Sequence, residues 1–235
     1  MKPPTLSHCA VVPRRLKQLT LTAAAALALA LALAATAAAP PLVDIGTLGG
    51  SYSYPTFLNN SGQVVGSSTV AGDGEYRPFF WDPVTGMQAM PASGTVFNYP
   101  AALNDSGLVA GSLYDNNTGE NRIYVWSAAT GLTDLGLSPG GQLTLNNAGQ
   151  VAGNTYLAAG NFHAFIWDAA GGLRDLGTLG GLNSSVQGMN ASGQVVGDSD
   201  RADGSSALFI WDAANGLREI PLTGVDSGSA YVSVI

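Results

Sequence analysis

The chain has 235 residues, with 46% hydrophobic side chains, 11% charged ones and a formal charge of −7. That acidity excludes a surface built for nucleic acid or anionic lipid, and the single cysteine, Cys9, excludes an intrachain disulfide. With 31 glycines and so few charges, the composition suits short strands and many turns rather than helices.

Lys2, Arg14, Arg15 and Lys17 stand ahead of Leu19–Ala39, a run that is almost all Ala and Leu, and Ala35-Thr36-Ala37 offers small residues to a signal peptidase. A charged start, an apolar stretch and a small-residue site are the layout of a secretory leader. Residues 1–39 are therefore predicted to be a signal peptide, cut near Ala37 because Pro40 disfavours a cut directly before it. A retained anchor is the alternative, since the run nearly reaches the ~20 residues that span a bilayer. Without the leader, five arginines and no lysine face sixteen acids, a balance of −11. The mature protein is expected in the extracellular space or periplasm, with no nucleic-acid partner and no membrane contact. It has about 195 residues, enough for one sizeable core.

Residues 40–235 repeat one unit, and the repeat has to be read before any single residue. Trp81, Trp126, Trp167 and Trp211 recur at steps of 45, 41 and 44, and Gly62, Gly107, Gly149 and Gly193 keep nearly the same step. The units run over about 44–91, 92–136, 137–177 and 178–222, with a partial unit at 223–235. Taken in order, Val43–Leu48 is predicted to be the last strand of a unit, because Asp44-Ile45-Gly46-Thr47-Leu48-Gly49-Gly50 matches Asp175-Leu176-Gly177-Thr178-Leu179-Gly180-Gly181. Each unit then has a first strand ending in an Asn-x-x-Gly tetrad, from Asn59, Asn104, Asn146 and Asn190. Asn and Gly accept the positive φ of a tight turn, so each tetrad is predicted to be a hairpin loop. A second strand follows, such as Val64-Val65-Gly66, its Gly marking a close backbone approach. After a variable loop rich in Asp, Asn and Gly comes the Trp-bearing strand, such as Ala164-Phe165-Ile166-Trp167, apolar on both faces and therefore predicted to be covered on both. A turn at Gly86, Gly131, Gly172 or Gly216 leads to the fourth strand.

Four short strands per unit of about 44 residues predict an all-β, propeller-like array of four-stranded antiparallel blades. A parallel β-helix is the alternative. The first and last strands, Val43–Leu48 and Tyr231–Ile235, belong to partial units, so the ring is expected to be incomplete. An open blade edge would then invite self-association.

The stretch His163-Ala164-Phe165-Ile166-Trp167-Asp168, followed by Gly172–Gly181, resembles the HAF repeat, a family of bacterial extracellular repeats named for that tripeptide. The Asn-x-Ser-Gly-Gln-Val-Val-Gly and Asp-Leu-Gly-Thr-Leu-Gly-Gly elements match as well, over about residues 44–222. The resemblance implies an exported repeat protein and no particular activity. The chain departs from the pattern where Arg77, Arg122 and Ala207 replace His163 and where Ser127 follows Trp126.

Positions filled alike in every unit serve every unit, so the four Trp and the four turn Gly are expected to be structural. His163 is the only histidine beyond the leader, and its replacement by Arg in sibling units suits packing or hydrogen bonding better than catalysis. Asp198, Asp200 and Asp203, with Gly204, form the densest acidic cluster. They are the only Ca²⁺ candidate, but their spacing misses the usual Asp-x-Asp-x-Asp-Gly loop by one residue, and a solvated loop is the expectation. No catalytic residue and no cofactor site is predicted. Antiparallel succession places the loops 67–76, 112–121, 154–161 and 198–205 on one face, together with 49–54, 93–97 and 180–184. That variable face is the expected binding surface. The function expected is a non-catalytic exported module that binds a glycan, a protein or an envelope component. The alternative is an exported hydrolase or lyase that uses carboxylates.

Overall fold

The computed structural model describes residues 42–91, 96–157 and 159–221. The leader and the strand expected at Tyr231–Ile235 lie outside the described residues. From Ile45 onward the described chain is all β, in four antiparallel meanders whose spatial order follows the chain. The first sheet is β1 (Gly49–Leu58), β2 (Val64–Val70), β3 (Tyr76–Asp82) and β4 (Gly86–Ala89); the second is β5 (Val96–Leu103), β6 (Val109–Asp115), β7 (Asn121–Ser127) and β8 (Gly131–Asp134). The third is β9 (Pro139–Leu145), β10 (Val151–Tyr156), β11 (Phe162–Asp168) and β12 (Gly172–Gly177); the fourth is β13 (Gly180–Met189), β14 (Val195–Arg201), β15 (Ser206–Asp212) and β16 (Gly216–Glu219). No helix among the described residues is long and apolar enough to cross a membrane.

The turn chemistry explains the meanders. Gly62, Gly107, Gly149 and Gly193 have φ of 76–80°, the left-handed region that a Cβ disfavours. Each donates its N–H to the carbonyl of the Asn three residues earlier at 3.0–3.1 Å, closing the β1–β2 type of hairpin. The Gly of each second strand answers a different need. A Cβ on Gly66, Gly111 or Gly197 would collide with the carbonyl oxygen of Tyr54, Tyr99 or Ser185, where the facing first strand slips register by one residue. The bulge brings the two backbones together, and only Gly leaves room.

Two strand limits differ from the sequence reading. The second and third strands run well past that Gly, through pairs such as Ser68↔Arg77 and Tyr114↔Asn121, so the hairpin loops shrink to about five residues. Val43–Leu48, expected as a fourth strand, forms none, and only its last residue, Leu48, makes an isolated parallel bridge, with Val70. A fourth strand pairs with a Trp-bearing third strand, and among the described residues none precedes β1.

Successive sheets pack face to face. Phe80 of the first sheet meets Tyr124 and Trp126 of the second; Val125 of the second meets Phe165 of the third; Ile166 of the third meets Phe209 and Trp211 of the fourth. The Trp and the residue two before it thus face the preceding sheet, and the side chain between them faces the following one. Burying each such side chain contributes about 1.5–3 kcal/mol. First strands lie against one another, β1 on β5, β5 on β9 and β9 on β13, so the sheets fan out from a hub of first strands in the manner of propeller blades. Among the described residues, no core cluster joins the fourth sheet to the first, and the array is open. At its end, Val196 and Ile210 are half-buried, whereas their counterparts Val65, Ala110, Ala152, Phe80, Val125 and Ile166 are buried.

Candidate functional site

The fan has two rims of different character. On the rim of Asn-x-x-Gly turns, each Asn side chain works inward and onward. Asn59 Oδ1 accepts from the Ser61 and Gln63 amides, and the same two bonds recur at Asn104, Asn146 and Asn190. The other end of the amide crosses to the next unit. Asn59 Nδ2 donates to the Asn104 carbonyl at 2.7 Å, Asn104 to that of Asn146 at 3.0 Å and Asn146 to that of Asn190 at 3.2 Å. This ladder stitches all four units. Asp105 reinforces it by accepting from the Asn60 side chain and amide and from Asn147, and these donors hold its carboxyl below the usual range. The Trp-Asp turns lie on the same rim, where Asp82, Asp168 and Asp212 each accept backbone amides of the following turn.

The opposite rim carries the hairpins and the entries to the first strands. At the first and fourth sheets the Thr-Leu-Gly-Gly entry is locked in the same way. Thr47 donates to the Gly50 carbonyl and the Leu48 amide to Ser68 Oγ; Thr178 and Leu179 repeat this on Gly181 and Ser199. Thr155 holds the corresponding place in the third sheet, but there the entry is Leu137-Ser138-Pro139 and Thr155 Oγ1 stays buried without a partner.

Exposed aromatic rings gather on the first-sheet part of this rim. Tyr52 stacks on Tyr54 with centroids 6.5 Å apart, and Tyr54 meets Tyr76 at 5.9 Å. All three are about half exposed, as are Tyr99 and Tyr156 on the next two sheets. Tyr54 beside it holds the Tyr76 hydroxyl above the usual phenol range. Next to them, Asp73 receives the Ser51 amide at 2.6 Å and the Ser51 hydroxyl at 2.8 Å, which lowers its pKa. The sequence reading passed over these tyrosines. The available signal was their density in Ser-Tyr-Ser-Tyr-Pro and Asn-Tyr-Pro.

The residues singled out from the sequence fall as follows. Trp126 and Trp211 are buried, and Trp81 and Trp167 are half-buried. His163 Nδ1 lies 2.8 Å from Asp175 on the neighbouring strand, the place where Arg122 meets Asp134 in the second sheet. It therefore holds one position of a recurring cross-strand pair. Asp198 accepts from Gln187, Asp200 from Asn183 and Ser206, and Asp203 from the Ser205 amide and hydroxyl. The first two point off β14 and the third sits in the hairpin turn, so the structure does not draw them together. No group of three His, Cys, Asp or Glu placed to hold a metal occurs among the described residues.

No family model and no curated protein matches the chain. Among solved structures it is similar to TolB from Acinetobacter baumannii, with a TM-score of 0.47 and 14% identity over 72% of this chain and 43% of that one. It is also similar to a puromycin hydrolase mutant complexed with PGG, with a TM-score of 0.45 and 15% identity over 73% of this chain and 29% of that one. The chain spans less than half the length of either protein.

Proposed function

We propose that this chain is an exported, non-catalytic binding module of HAF-type repeats, and that its hairpin rim takes a glycan, a protein or another envelope component. One observation carries the reading: Tyr52, Tyr54 and Tyr76 lie exposed against one another on a rim that varies between units. Amphipathic rings grouped at the surface supply contact area and a hydroxyl at small entropic cost. The counterparts of Tyr76 at the start of the other third strands are Asn121, Phe162 and Ser206, and the place of Tyr54 is held by Tyr99 in the second sheet and Ser185 in the fourth, so the repeat itself does not require the cluster. The leader-like first 39 residues support export, and the balance of −11 disfavours polyanionic ligands.

The test is to screen the leader-free protein against soluble glycans and envelope fractions, beside a general hydrolase panel. The triple variant Tyr52→Ser, Tyr54→Ser, Tyr76→Ser runs in parallel. Retention by the parent, its loss in the variant at an unchanged melting temperature, and no turnover are expected. Turnover of any panel substrate, or full retention by the variant, overturns the reading. Mass spectrometry of the secreted protein is expected to find a start near residue 38, and a start at Met1 would remove the support for export.

A further inference from the structure

The junction between the second and third sheets is built differently from its two siblings, and at it, reaching Ala191 and Ser192 of the fourth sheet's turn, lies a cavity of about 810 Å³. At the first junction Phe80 faces Trp126 with ring centroids 5.2 Å apart, and Gln63 reaches the turn at Gly107 while bonding Asp82. At the third junction the Arg174 guanidinium lies 5.7 Å from the Trp211 ring centroid, and Gln150 reaches the turn at Gly193. The strand registers Phe80↔Gln88, Val125↔Thr133 and Ile166↔Arg174 make these positions equivalent. At the second junction they hold Val125 and Thr133, with Leu108 in place of the glutamine and Ser127 in place of the aspartate. Four shorter or less polar side chains leave the space open, and all four line it. Trp167, the ring they would have covered, is half-buried where Trp126 and Trp211 are 5% and 6% exposed.

The same comparison supplies a charge. Asp168 lines this cavity beside Trp167. Its Oδ1 accepts the Ala170 and Gly171 amides, and its Oδ2 takes no donor among the described residues. In the sibling units that second oxygen is used: Asp82 takes Gln63, and Asp212 takes the Arg218 guanidinium. The part-exposed Trp167 ring, whose other contacts are with the Val125 and Phe165 cluster, and the free carboxylate oxygen are thus the two places that guanidinium groups fill in the fourth unit, Arg174 at the ring and Arg218 at the carboxylate.

We propose that this cavity is a binding site for a small organic cation with a flat guanidinium or amidinium head on an apolar body. The head would lie on Trp167 and donate to Asp168 Oδ2, with the body against Leu108 and Val125. Cations are drawn to an indole face and more so when partly desolvated, a fork of N–H groups matches a carboxylate, and the cavity has the volume of a small-molecule pocket. The site lies on the turn rim and is separate from the tyrosine rim.

The test uses the purified chain titrated with benzamidine, and with benzamide as the neutral isostere, by calorimetry and indole N–H chemical shifts. Saturable benzamidine binding that moves the Trp167 signal is expected, with benzamide at least about tenfold weaker. Thr133→Arg, which rebuilds the side chain of the third sheet, is expected to abolish binding without lowering the melting temperature. Asp168→Asn keeps the Oδ1 bonds and is expected to weaken benzamidine about tenfold while leaving benzamide unchanged. No saturable binding, equal affinity for the two probes, or undiminished binding by Asp168→Asn overturns the proposal. Should Thr133→Arg disturb folding, the Asp168→Asn comparison decides.

Discussion

The turn rim and the hairpin rim are made by the same sixteen described strands, yet they obey different rules. On the turn rim Asn59, Asn104, Asn146 and Asn190 repeat the same internal bonds, and three of them reach into the next unit. On the hairpin rim the Thr-Leu-Gly-Gly lock appears in the first and fourth sheets, and the third leaves Thr155 without a partner. Sameness between units therefore marks an obligation to a neighbour, and variation marks surface free to meet something else. The three junctions carry the same lesson inside the stack. Phe80 and Arg174 cover a Trp at two of them, and at the second junction Val125 with Thr133 leave Trp167 part-exposed.

The largest effect that would sharpen this contrast comes from the Trp residues. Trp126 is 5% exposed and packs on Phe80, so Trp126→Ala is expected to cost about 3–5 kcal/mol. Trp167 is half-buried at the open junction, and Trp167→Ala is expected to cost about 1–2 kcal/mol, since less area leaves the core. Urea unfolding of both variants measures the difference. Equal losses would mean that the second junction is as well filled as the first.

The ladder comes next. Asn104 is 3% exposed, and its side chain donates to the Asn146 carbonyl and accepts the Ser106 and Leu108 amides, so Asn104→Ala strands buried polar groups and is expected to cost about 1–3 kcal/mol. Asn190 ends the ladder in solvent, and its side chain bonds only within its own turn. Asn190→Ala is expected to cost about 0.5–1 kcal/mol. Melting of both variants checks the order, and an equal or reversed order would show that the ladder does not carry stability between units.

Much of this was legible in the sequence, and the reason is repetition. Turn glycines at positive φ, the Val-x-Gly close approach and the two-sided burial of the Trp strand all follow from residues within one unit. What was not legible depends on partners a whole unit away. The Asn59–Asn104 bond joins residues 45 apart, and nothing local in Asn-Asn-Ser-Gly announces it. The exposure of Trp167 is set by Thr133 and Val125 of the preceding unit, so four identical Trp positions looked alike. The extra length of the second and third strands escaped notice because pairs such as Ser68↔Arg77 and Ser199↔Ala207 continue the ladder with polar or small residues, which carry no strand pattern.

A smaller effect should appear in acid. Asp105 is held below its ordinary pKa, first by the Asn60 side chain, then by the Asn60 amide and Asn147. A carboxyl whose folded pKa is depressed contributes stability that is complete above its unfolded value of about 3.9 and is lost as pH falls through the folded value. The parent is therefore expected to lose melting temperature more steeply below about pH 4 than Asp105→Asn does. Parallel acid slopes would show that the Asp105 cluster contributes nothing to the turn rim.

The last test asks whether the acids of the hairpin rim belong to the scaffold or to a ligand, and the expected effect is none. A bound Ca²⁺ needs six to eight oxygens at roughly 2.3–2.6 Å, several of them from carboxylates turned toward one point. Asp198 and Asp200 sit two residues apart on β14, and each is already engaged, by Gln187 and by Asn183 with Ser206. Asp203 bonds Ser205 within the turn, and those two bonds hold its pKa low. To bind the ion the chain would have to give up these hydrogen bonds and move β14 against its partners. Millimolar Ca²⁺ is therefore expected to leave the melting temperature unchanged in the parent and in Asp200→Ala alike. A rise in the parent that Asp200→Ala abolishes would show that the hairpin rim closes around a metal, and the division between a bonded scaffold and a free rim would then fail at the fourth sheet.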